Sequence, residues 1–103
     1  MSLLIANIKN ELDNIKEVWK PTDIAQFNQL TVKLAKLEGE YEWHRHEHED
    51  KLFYVLSGQL FIILRDKTVE VNSGEMVVIP KNIDNKPYAP TETSVMFFEP
   101  LQS

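Results

Sequence analysis

The chain has no cysteine. That removes disulfides, a thiolate nucleophile and cysteine-ligated zinc together. Long apolar runs are missing as well. Stretches such as LFIIL at 60–64 and MVVI at 76–79 fall far short of the roughly 20 residues that a membrane-spanning helix needs. The leading apolar stretch, LLIA, is short and has no basic residues before it, which is not the pattern of a secretory signal. A basic face is also lacking: 11 Lys and Arg stand against 16 Asp and Glu, for a net charge of −5. A nucleic-acid binder needs a positive stripe to meet phosphates. The expectation is a cytoplasmic protein with neither a membrane nor a nucleic acid as partner.

What is present fits one globular domain. The chain has 103 residues, 43% hydrophobic and 26% charged, enough for a single core. The charge is concentrated. Between Glu38 and Asp50 lie six acids (Glu38, Glu40, Glu42, Glu47, Glu49, Asp50) and one base, Arg45, so this window carries the whole net charge of −5. All three histidines, His44, His46 and His48, fall inside it. Taken alone, the carboxylates read as a solvated acidic loop. The histidines make a cation or polar-ligand site worth considering.

Residues 7–19 carry the helical signal. Ile8, Leu12, Ile15 and Trp19 recur on one face, Asn7 is placed to cap, and Pro21 closes the segment. Beyond Ile24 the period becomes two. Strands are expected at 30–37, 41–46, 52–56, 59–64, 68–71, 75–79 and 95–99. A hairpin is expected at Ser57-Gly58, turns at Arg65-Asp66-Lys67 and Asn72-Ser73-Gly74, and a proline-rich connection over 80–90. The bounds are an N-terminal helical segment, 1–22, and one β-barrel domain, 23–103. Several strands are apolar on both faces, which predicts cover from the helix on one part and from a second copy, a homodimer, elsewhere.

Alternation along 41–46 places Glu42, His44 and His46 on one face and Tyr41, Trp43 and Arg45 on the other. Tyr41 and Trp43 then read as packing or interface anchors. Two imidazoles two residues apart can reach a common point inside a barrel, as a zinc, nickel, manganese or iron site requires. His48 has the same alternation but lies where the chain leaves for the surface.

The run Gly39-EYEW-His44-Arg-His46-EHED-Lys51-LFYVLS-Gly58, followed by Ser73-Gly74-EMVVI-Pro80, resembles the two sequence motifs of the cupin superfamily. Its wording is similar to small single-domain bacterial cupins of the cupin-2 type. The resemblance implies an all-β fold, the cupin double-stranded β-helix or jelly-roll barrel, here with one N-terminal α-helix. It also implies a metal held by three histidines and a glutamate. His44 and His46 stand at two of those positions. The glutamate position, seven residues before Gly58, holds Lys51, and the second-motif histidine position holds Asn85. A lysine ammonium there opposes a cation: two unit charges 4 Å apart repel by about 4 kcal/mol at an effective dielectric constant near 20.

Several readings follow. The favoured one is a degenerate metal site, with His44, His46, Lys51, Asn85 and Phe53 lining a partly apolar pocket for a small polar or anionic molecule. A second keeps one divalent transition metal on His44 and His46, with Asn85, His48 or a nearby carboxylate completing it, in a cupin enzyme of isomerase or dioxygenase type. A metal-free enzyme would use a histidine base or a buried Lys51 as acid, base or nucleophile. An effector-sensing module and an inert polar core complete the set. For single residues the blander readings are a Lys51 that reaches out to water and an Asn85 that serves a turn backbone.

Overall fold

In the computed structural model, which describes residues 3–101, one short helix precedes seven strands. The elements are α1 (Ile8–Asp13), β1 (Thr22–Phe27), β2 (Leu30–Glu40), β3 (Lys51–Ser57), β4 (Gln59–Ile63), β5 (Thr68–Asn72), β6 (Met76–Ile79) and β7 (Lys86–Pro100). The expected bounds 1–22 and 23–103 reach into residues 1–2 and 102–103, which lie outside the described residues.

All strand pairs are antiparallel, and β7 organises them. Its C-terminal half lies between β2 and β3 in the order β1-β2-β7-β3-β6. Its N-terminal end pairs with β4, which pairs with β5. One long strand thus serves both walls of a jelly roll. Residues of odd number in β2, β3 and β7 turn inward. Ala35, Leu37, Val55, Val95 and Phe97 join Leu60, Ile62 and Val71 in the core cluster. Each fully buried leucine or isoleucine there contributes roughly 1.5–3 kcal/mol relative to exposure. The opposite face is apolar too. The register aligns Val78, Leu52, Phe98 and Val32 in one row, and Met76, Tyr54, Met96 and Leu34 in the next. The N-terminal segment contacts β2, while Met76, Val78 and Phe27 remain exposed.

Four local expectations are corrected. The helix over 7–19 stops at Asp13. Asn7 does cap it, its side chain accepting from the Asn10 amide at 3.0 Å, but tertiary hydrogen bonds take over downstream. The Trp19 backbone donates to the Lys36 carbonyl at 2.8 Å and its indole to Glu38 at 2.8 Å, with Trp19 at a positive φ of 61°. The hairpin at Ser57-Gly58 is instead a corner: β3 and β4 do not pair with each other, and both pair with β7. The connection over 80–90 is short, because β7 already begins at Lys86 and includes Pro87 and Pro90. Residues 41–46 are not a strand. They touch the 81–87 segment through isolated bonds, including an antiparallel bridge between His44 and Asn85. Among the described residues, no helix is long and apolar enough to cross a membrane.

Candidate functional site

The 41–50 segment crosses the open end of the barrel and is fixed at a few points. His44 and Asn85 exchange backbone hydrogen bonds at 3.0 and 2.9 Å. The Asn82 amide donates to the His46 carbonyl at 2.7 Å, and the Lys81 amide to the Asp50 carboxylate at 2.9 Å. On the outside, Arg45 donates to Asp84 at 2.8 Å, and the Arg65 guanidinium lies 3.7 Å over the Trp43 ring. The hydrogen bond from Arg45, with the charges of Arg45 and Arg65, holds the Asp84 carboxyl below its ordinary range and outweighs the opposing effect of burial. Trp43 and Arg45 therefore face away from the barrel, as the alternation predicts.

Beneath this strap is a cavity of about 290 Å³. Its walls are mostly apolar: Ala35, Leu37, Phe53, Leu60, Pro87 and Phe97, with Trp19 and Pro21 from the N-terminal segment. Tyr41 also lines it, contrary to the strand alternation, because a segment without a ladder need not alternate. Tyr41 stacks on Trp19 with ring centroids 4.9 Å apart, and His44 meets Tyr41 edge to face at 5.4 Å. His44 and His46 are likewise edge to face at 5.2 Å.

The polar lining is Glu42, His44, His46, Lys51 and Glu99. The sequence reading missed Glu99. Its signal was an acid in phase with the inward Val95 and Phe97 of the last strand. Lys51 does not reach out to water: it is 6% exposed, and its ammonium pairs with the Glu99 carboxylate inside the barrel. Lys33 of β2 grips the other Glu99 oxygen. Burial works to raise the Glu99 carboxyl, but hydrogen bonds from Lys33 and Lys51 and their charges outweigh it and hold it below the ordinary carboxylate range. The hydrogen bond to Glu99 in turn raises Lys33, against desolvation. The Lys51 ammonium also sits 4.8 Å from the Phe97 ring centroid, a favourable cation–π placement.

His46 is lowered, first by burial and then by the charge of Lys51, so its neutral ring is favoured. The His44 Nδ1 lies 3.1 Å from the Glu42 carbonyl. A carbonyl only accepts, so Nδ1 donates this hydrogen bond, and among the described residues Nε2 has no hydrogen-bond partner. Asn85 is 1% exposed and is not among the cavity-lining residues; its amide donates to the carbonyls of His44 and Ile83 at 3.3 and 3.0 Å. His48 is exposed and outside the cavity.

The donor set fits a bound divalent metal poorly. Two imidazoles are present, but of the two carboxylates in the lining Glu42 is exposed and Glu99 is held by two lysines, with Lys51 bringing a positive charge beside it. Among the described residues, no group of three or more His, Asp or Glu is gathered so as to hold a metal ion.

Residues 30–99 match the Cupin domain family. A cupin-2 domain containing protein from Shewanella frigidimarina is 38% identical, with a TM-score of 0.91 covering 93% of this chain and 94% of that one. A Neisseria meningitidis protein of known structure is 31% identical, with a TM-score of 0.87 over 94% of this chain and 99% of its own. The uncharacterized protein YdbB of Bacillus subtilis is 39% identical over 70 residues; the match covers 67% of this chain and 62% of that relative's length.

Proposed function

The chain belongs to the cupin domain family, and from that premise we propose that it is a metal-free binding protein that takes a small polar molecule into its barrel. The fold is the expected double-stranded β-helix with one N-terminal helix. The reading rests on one observation: the Lys51 ammonium, paired with Glu99, stands inside the cavity beside His44 and His46. A tethered cation there disfavours a free one. The cavity combines stacked and tilted aromatic walls with a few convergent polar groups, the usual make-up of a small-molecule site. Metal analysis of tag-free protein, before and after incubation with zinc, nickel, manganese and iron, tests it. Values near zero are expected. Near one equivalent of a single metal would overturn the reading in favour of a metal-dependent isomerase or dioxygenase.

The same proposal includes a homodimer. The two apolar rows that cross the outer face of β6, β3, β7 and β2, ending in exposed Met76 and Val78, support it. Sedimentation at micromolar concentration should give about twice the 12.0 kDa of the chain. A single-chain mass would remove the dimer from the proposal.

A further inference from the structure

We propose that the cavity is a carboxylate site, taking a small molecule with one carboxylate and a flat apolar body, anchored by Lys51. This rests on the metal-free binding reading and adds the chemical class of the ligand. Three observations carry it.

The first is the donor count at Lys51. An ammonium has three N–H groups. Among the described residues, Glu99 is the hydrogen-bond acceptor for Lys51, and the rest of the ammonium faces the Phe97 and Phe53 rings, with centroids 4.8 and 6.0 Å away. A side chain only 8% exposed thus retains N–H donors at the wall of a cavity. A carboxylate supplies two strong acceptors and the matching charge.

The second is the role of Lys33. It grips Glu99 from outside the cavity lining and has Asp23 at 3.7 Å on its solvent side. Glu99 therefore keeps a cationic partner when Lys51 turns toward a ligand. The exchange strands no buried charge, which is the usual obstacle to opening such a pair.

The third is the shape of the remaining wall. The Trp19–Tyr41 stack, at 4.9 Å, and the tilted Phe53–Phe97 pair, at 5.3 Å, present ring surfaces suited to a flat body. The His44 Nε2, unpartnered among the described residues, is available to hydrogen-bond a hydroxyl on the ligand.

Calorimetric titration with benzoate, benzamide and benzylamine is the test, run on the wild type and on Lys51→Met and Glu99→Gln. Benzoate should bind, with benzamide at least about tenfold weaker and benzylamine silent, because a charge-assisted hydrogen bond is worth more than tenfold in affinity. Lys51→Met should remove benzoate binding. Glu99→Gln frees Lys51 from its resting partner and should strengthen benzoate binding, a gain that damage to the fold would not produce. Benzamide or benzylamine binding as well as benzoate would overturn the carboxylate assignment and leave the binding reading intact. Weaker benzoate binding in Glu99→Gln would overturn it in the same way. Silence from all three probes overturns the assignment; if zinc is then taken up stoichiometrically, the metal-free reading falls with it.

Discussion

Lys51, the first residue of β3, and Glu99, near the end of β7, are 48 positions apart in sequence and meet as a charged pair inside the barrel. The register places Leu52 opposite Phe98, which brings the two side by side on adjacent strands. Such a pair is weak evidence for stability, because desolvating two charges offsets most of their attraction. Its presence among the apolar residues that line most of the cavity points to a requirement of the site.

Removing one partner exposes that cost. Glu99→Gln leaves the buried Lys51 without its counter-charge, and the chain should lose about 3 kcal/mol in urea unfolding. The double variant Lys51→Met, Glu99→Gln removes both charges and should recover part of the loss. A single-variant loss below about 1 kcal/mol would show that the pair is solvated in solution.

The same group sets an acid limit. Glu99 is lowered on folding, so the unfolded chain binds its proton more readily. The resulting stabilisation is complete above the unfolded carboxyl pKa of about 4.3 and is lost as pH falls through the lower folded value. Urea midpoints measured from pH 6 down to pH 2 should fall steeply in the wild type and less steeply in Glu99→Gln. Parallel profiles would mean that other carboxylates set the acid limit.

The sequence made the fold readable because the barrel strands alternate over apolar runs, and the spacing of Gly58, Gly74 and Pro80 fits the family. The site was half readable. His44, His46, Lys51 and Phe53 all line the cavity, but the reason was not a strand. The 41–46 segment lacks a continuous ladder partner, so its alternation places Trp43 and Arg45 correctly and Tyr41 wrongly. Glu99 escaped because its partners, Lys33 and Lys51, become neighbours only through β7 pairing. Trp19 escaped because its spacing suits a helix, while its hydrogen bonds go to Lys36 and Glu38 of β2.

If Lys51 stands where a metal ligand would, Lys51→Glu should convert the cavity. The new carboxylate lies beside Glu99, so the metal-free variant should be less stable than the wild type. Zinc or nickel, held with His44 and His46, relieves the repulsion. The expected result is near one equivalent of metal, and a melting point about 10 °C higher at a metal concentration one hundred times its Kd. Neither effect should appear in the wild type. No metal uptake by Lys51→Glu would mean that position 51 does not face the two imidazoles.

Two glycines with the same backbone conformation separate local strain from packing. Gly58 and Gly74 have φ of 89° and 85°, where an L side chain costs roughly 1–2 kcal/mol. Around Gly74 nothing lies within 4 Å of an added Cβ. At Gly58 the same atom would sit 2.4 Å from the Thr93 Oγ1 and 2.8 Å from its Cα. Thr93 is fully buried and cannot retreat, since its hydroxyl accepts from the Gln59 amide at 3.1 Å and lies 3.0 Å from the Gln59 carbonyl. This contact forms the corner that sends β4 to the second wall. Gly74→Ala should therefore cost about 1 kcal/mol, the backbone strain alone. Gly58→Ala should cost about 3 kcal/mol or more, because strain and overpacking add. Urea unfolding of the two variants checks the order, and equal losses would show that the corner yields around Thr93.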